Sequence, residues 1–204
     1  MITVATGSSV LARLIKISQF IINDPSLVEE MIQEVKDGNK GPLCTMFKNI
    51  FKNTQLLNIS LIHELSYYFF SLGSINELTI FSSPQVGITC FFMPKNTMFP
   101  LHDHKNRIVC TGVLHGKIKY MTLNKKIKNL YSLSSKGTAL QSKVLFGTED
   151  FRNIHSLLAV EDSIILDIFL PNDQTGDDSK LFSVVSKRKR EFLLESRKAC
   201  AGRK

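Results

Sequence analysis
The sequence contains no tryptophan, and its four cysteines are scattered. Cys44, Cys90, Cys110 and Cys200 form no C-x-x-C pair, so neither a structural zinc site nor a disulfide framework is indicated, and a reducing compartment fits best. Long apolar runs are missing too. The nearest candidate, 56–73, is interrupted by Asn58, His63 and Glu64, so no membrane span is expected. No repeat, low-complexity block or long linker breaks the chain. A hydrophobic share of 43% over 204 residues suits one soluble domain with an added helical region.

The formal net charge of +8 is unevenly placed. Lys187, Arg188, Lys189 and Arg190 are followed by Arg197, Lys198, Arg203 and Lys204. A solvated basic tail over 187–204 is the expectation, with a nuclear-import signal or a weak nucleic-acid contact as other readings. The basic run lacks the interleaved aromatics of single-strand readers, so nucleic acid is not an expected partner. At the other end, Arg13 and Lys16 precede the first acidic residue, Asp24, as in a transit peptide. The stripe Val10, Leu11, Leu14, Ile15 and Ile17 instead predicts a docked amphipathic helix. The expected location is the cytoplasm, with the nucleus as a second.

Helical periodicity dominates up to about residue 70. Asp24 is an N-cap before Pro25, and Gly38 ends the segment carrying Leu27, Val28, Met31, Ile32 and Val35. A second helical piece is predicted over 42–52, while "LIHELSYYFFSL" fits a helix or a buried strand. From about residue 75, short apolar runs alternate with turn residues. Strands are predicted at 78–81, 87–93, 98–101, 108–113, 116–123, 130–132, 143–146, 154–160, 163–169 and 182–185. Punctuation includes Pro84, Pro94, His115-Gly116 and Lys136-Gly137. So many short strands suit a double-sheet jelly roll with the helices on one outer face. The division predicted is 1–72 helical, 73–186 barrel and 187–204 tail.

Of only five histidines, two stand two apart in "FPLHDHKNR", which by itself fits a metal site or two surface imidazoles. In a strand, residues two apart share a face, which puts His102 and His104 side by side and turns Asp103 away. Two imidazoles inside a barrel are the start of a metal site, and His155 in "RNIHSLLAV" is the natural third ligand. His63, in the helical region, and His115, in a turn, suit the role less well.

The proline-ended strand, the H-x-H pair and Gly116 resemble the first cupin motif. Most cupins add a glutamate after the pair; Ile108 and Val109 occupy that position here. "PLHDH", "VLHG", "NIHSLLAVE" and "LDI" together resemble the cysteamine dioxygenase and plant cysteine oxidase family of thiol dioxygenases, over about 75–171. The resemblance implies a mainly β cupin double-stranded β-helix with N-terminal helices packed outside. It also implies an Fe(2+) cofactor on His102, His104 and His155, with O2 and either cysteamine or an N-terminal cysteine peptide as substrates. The product implied is a sulfinic acid. Asp167 matches a family aspartate on the substrate side, although a buried structural aspartate is an equal reading. Asn153 is read as a turn residue or as a group orienting His155, and Cys110 as a buried small apolar residue.

Some family features are lost. Lys105-Asn106-Arg107 replaces the usual Pro-Gly-Met after the histidines; Arg107 is read as an exposed surface arginine or as an attractor of a carboxylate. The family's pocket tyrosine falls at Asp173 or its neighbour, and the Cys-x-Tyr of the animal enzymes falls in 179–182, where neither residue occurs. A non-catalytic cupin-like metal-binding or interaction module is the competing expectation. A monomer is expected, since no heptad seam is visible.

Overall fold
A computed structural model describes residues 10–52, 59–171 and 180–198. Asn58, Asp173, Cys200, Arg203 and Lys204, named above, lie outside the described residues. The helices come first: α1 (Val10–Ile22), α2 (Pro25–Lys36), α3 (Pro42–Lys52) and α4 (Ile59–Ser71). Helix α2 starts as predicted, with Asp24 accepting the Ser26 N–H at 3.0 Å, and the chain leaves it through Gly38 at φ 89. Helix α4 settles the ambiguous segment: an amphipathic helix puts Phe69 and Phe70 against Phe92 of the sheet below. The buried Glu34 side chain caps α3, accepting Leu43 N–H at 3.0 Å and Cys44 N–H at 2.7 Å. It thereby satisfies two donors that a helix start leaves open, at the end of the macrodipole that favours an anion. No described helix is long and apolar enough to cross a membrane.

Strands β1 (Asn76–Ser82), β2 (Gly87–Met93), β3 (Met98–His102), β4 (Ile108–His115), β5 (Lys117–Ile127) and β6 (Leu130–Leu140) follow. They are completed by β7 (Val144–Gly147), β8 (Ile154–Ala159), β9 (Ser163–Leu170), β10 (Lys180–Arg188) and β11 (Glu191–Lys198). One sheet has the order β1-β2-β9-β4-β7. The other, β10-β11-β6-β5-β8-β3, closes on itself where Leu181 pairs with His102. All neighbours are antiparallel, and the non-consecutive order is that of a double-stranded β-helix.

Alternation divides each strand between two cores. Ile88, Cys90 and Phe92 of β2 and Ile164, Leu166 and Ile168 of β9 face the helices, packed with Leu14, Val35, Phe47 and Phe51. Their neighbours Met93, Val113 and Ile165 face the second sheet and meet Ile118, Leu157 and Ala159. Strand β9 is therefore buried along its whole length, because it is covered on both faces. Helix α3 approaches the sheet closely at Gly112, where a Cβ would sit 1.9 Å from the Phe51 ring.

Two expectations need correction. The basic tail predicted from 187 is in fact the end of β10 and all of β11, through Lys198. Phe192 and Leu194 alternate out of a charged background into a third cluster with Leu101, Leu123 and Ile154, and that burial draws the hairpin onto β6. Lys136-Gly137, predicted as a turn, lies inside β6. Gly137 pairs there with Tyr120, and a Cβ on it would stand 3.1 Å from the Tyr120 hydroxyl.

Candidate metal centre
Strand β3 ends at His102, directly opposite His155 on β8, so these two imidazoles are cross-strand partners with ring centroids 4.3 Å apart. His104 is already past the strand end. What aligns it is Asn153, whose Oδ1 accepts the His104 backbone N–H at 2.7 Å. The three rings close into one group, with candidate ligand atoms all within 4.8 Å of one another. His115 is exposed at the end of β4 and does not join it.

Hydrogen bonds set the ring orientations. His102 Nδ1 lies 2.8 Å from the Pro100 carbonyl, and His155 Nδ1 lies 3.0 Å from the Asn153 carbonyl. A carbonyl only accepts, so both Nδ1 atoms carry the proton and both Nε2 atoms present a lone pair. His155 Nε2 and both ring nitrogens of His104 are buried without a partner. Burial, reinforced by the neighbouring histidines, holds His104 well below its ordinary pKa; burial also pushes His155 down to about 3. Three converging imidazoles, with buried unmet nitrogens on His104 and His155, fit a transition-metal ion, which would satisfy them.

The cavity beside His104 and His155 is about 20 Å3, enough for one water-sized group, and is walled by Val109, Leu145, Leu157 and Thr111. Asp167 does not line it. It sits on β9 between its partners Thr89 and Thr111, 5% exposed, and reaches the cavity only through Thr111, with which it shares a hydrogen bond. Desolvation raises its pKa to about 7 against that bond, and Oδ1 has no partner.

Asn153 orients His155, one of its two expected roles, through its backbone carbonyl; in addition its side chain accepts the His104 N–H and donates to the Glu149 carbonyl at 3.1 Å. Arg107 is half-buried rather than exposed, its guanidinium 5.7 Å over the Phe169 ring, which in turn packs 5.4 Å from His104. Cys110 is buried among the helix-facing side chains as expected, and burial pushes its thiol up.

A family model, PCO_ADO, for plant cysteine oxidases and cysteamine dioxygenases matches residues 66–199. No curated protein matches the chain. Among solved structures, KdgF from Halomonas sp. is similar with a TM-score of 0.41 and 16% identity, over 50% of this chain and 83% of that one. A rmlC-like cupin protein from Desulfovibrio desulfuricans gives 0.40 and 18%, over 50% and 87%. A conserved protein with a double-stranded β-helix domain from Klebsiella pneumoniae gives 0.42 and 12%, over 53% and 84%.

Proposed function
The chain belongs to the plant cysteine oxidase and cysteamine dioxygenase family, and from that premise we propose that it is an iron(II)-dependent thiol dioxygenase. Membership implies an oxidoreductase of the thiol dioxygenase class. The substrate we assign is cysteamine or the N-terminal cysteine of a peptide or protein. The reaction is R–SH + O2 → R–SO2H: sulfur gains both oxygen atoms and is oxidised by four electrons, O2 is reduced by four, and the thiol hydrogen ends on the sulfinic acid.

His102, His104 and His155 would hold the metal through ring nitrogens. Iron(II) on three neutral imidazoles would supply open coordination positions and the redox chemistry through which a thiolate and dioxygen react. The remaining work belongs to the chain. Pro100 and Asn153 carbonyls keep the Nε2 atoms pointed inward by holding protons on Nδ1. Val109, Leu145 and Leu157 keep the cavity apolar, so few waters compete with a small thiol. Asp167 acts as a positioning residue: it fixes the Thr111 hydroxyl on the cavity wall and adds a buried carboxyl to that side.

The observation that carries the reading is the histidine trio, three rings whose candidate ligand atoms lie within 4.8 Å of one another, with buried unmet nitrogens on His104 and His155, in a chain of this family. A structural zinc reading wants a fourth fixed ligand, and the metal-capable group among the described residues has three members. The test is anaerobic loading with iron(II), then oxygen with cysteamine or a Cys-initiated peptide, scored by mass spectrometry. Two added oxygen atoms on the thiol, lost in His155→Ala, are expected. Failure of the wild-type chain to bind iron would refute the reading.

A further inference from the structure
Next to the histidine cavity lies a larger chamber of about 250 Å3. The two share a wall, since Thr122 and Arg152 line both. Lys48, from α3, and Lys143, just before β7, add two more cations, Tyr120 and Ser135 add hydroxyls, and no carboxylate lines the chamber. Among the described residues none of the three cations has an ion-pair partner. Lys48 donates to the Asn39 carbonyl and lies 5.9 Å from the Phe146 ring centroid, Arg152 Nε donates to Ser134 Oγ at 3.4 Å, and Lys143 is exposed. Glu149, three residues before Arg152, is turned to Asn106 instead, 3.0 Å from its amide nitrogen. Three like charges around one concavity repel one another, and a bound anion is what relieves them.

Arg152 is also held in place at a cost. Its φ of 58 lies in the left-handed region, which a non-glycine residue occupies only when its surroundings enforce it. Asn124 does so, its Oδ1 accepting the Arg152 N–H at 2.8 Å. The next residue, Asn153, supplies the carbonyl that orients His155, so one strained turn sets both the metal-candidate ring and the chamber's innermost cation.

The separation is short. Thr122 pairs with His155 across β5 and β8, so their Cβ atoms are roughly 5 Å apart. A thiol at the histidines therefore puts the following residue of a peptide, about 3.5 Å further along an extended chain, at the chamber mouth.

We infer that the chamber is a carboxylate site, and that the chain takes peptides whose thiol-bearing first residue is followed by an acidic one. This rests on the thiol dioxygenase reading and narrows it, because cysteamine has no group to place there. The test uses the iron-loaded full chain and C-amidated peptides Cys-Glu-Gly-Ala, Cys-Gln-Gly-Ala and Cys-Lys-Gly-Ala. The expected kcat/KM is roughly tenfold higher for the Glu than the Gln peptide and lower again for Lys, with the gap closing as salt rises. In Lys48→Gln/Lys143→Gln the Glu-to-Gln ratio should fall toward one. Equal rates for all three, with sulfinic acid formed, would overturn the inference and leave the dioxygenase reading standing. Should no peptide be oxidised, calorimetry of the metal-free chain with Ser-Glu-Gly-Ala and Ser-Gln-Gly-Ala decides the chamber by itself. A Glu preference that the double variant abolishes supports the carboxylate site, and no preference overturns it.

Discussion

Asn153→Ala isolates the contribution of one side chain to the histidine trio. It removes the acceptor of the His104 N–H (2.7 Å) and the donor to the Glu149 carbonyl (3.1 Å). It leaves untouched the backbone carbonyl that orients His155. Any change in metal binding therefore passes through His104 alone. Two hydrogen bonds at about 0.5–1.5 kcal/mol each put the loss of folding stability at about 1–3 kcal/mol. Loosening a ligand's support of this kind costs about 10–100-fold in metal affinity. Asn153→Asp is the internal control: it keeps an oxygen for the His104 N–H and loses only the bond to Glu149, so most of the affinity should return. Both variants would be read by anaerobic iron(II) titration against a competing chelator, alongside urea unfolding. An Asn153→Ala protein that unfolds earlier yet binds iron like the wild type would refute the reasoning, since Asn153 would then serve the turn and not the site.

Iron(II) should raise the Tm of the wild-type chain, because it binds the folded state only, and should leave the Tm of His155→Ala unmoved; equal shifts in both would remove His155 from the ligand set. Gly112→Ala should destabilise the fold by more than about 2 kcal/mol in urea, because its Cβ would overlap the Phe51 ring and push α3 off β4; a wild-type midpoint would contradict that packing. Asp167 keeps its proton to about pH 7 in the folded chain against 3.8 when exposed. Raising the pH through that window favours the unfolded state, by on the order of 4 kcal/mol in all, with full stability below it. In the metal-free chain, wild-type stability relative to Asp167→Asn should therefore fall between pH 4 and 7, and a constant difference would show that the carboxyl is not buried as described.

The strands were readable where one face of a segment stays apolar while the other is covered or polar. Strand β2 has the predicted bounds because Val86 and Met93 lie between turn residues that stop the alternation. Strand β11 was hidden by its own charge: Arg188 to Arg190 read as solvated, although Phe192 and Leu194, two apart, carried the period that buries them. Helix α4 was undecided because four consecutive aromatics fit either a helix or a buried strand, and only the sheet opposite, through Phe92, settles the matter. The histidines themselves were legible as a motif. Their scaffolding was not: the bond from Asn153 to His104 spans 49 residues and Arg152's contact with Asn124 spans 28, and no local spacing encodes either.

The replacement of Pro-Gly-Met by Lys105-Asn106-Arg107 suggests, on sequence alone, a changed loop after the histidines. The backbone argues otherwise. Asn106, at the glycine position, has φ 55, and asparagine is among the few residues other than glycine that enter the left-handed region readily. The turn is therefore kept, and its side chain gains a tether to Glu149. What changes is charge, since a guanidinium now lies over Phe169 where methionine would bring none, and its field is one of the influences that lower the His104 pKa. The same field opposes any cation that His104 would bind. Arg107→Met should consequently strengthen metal binding by several-fold, on the order of 1 kcal/mol at the effective dielectric of a half-buried site, with the effect shrinking at high salt. The chelator-competition titration that reads Asn153→Ala reads this variant as well. Weaker binding in Arg107→Met would mean that the arginine supports the loop through its packing on Phe169 and that its charge is incidental.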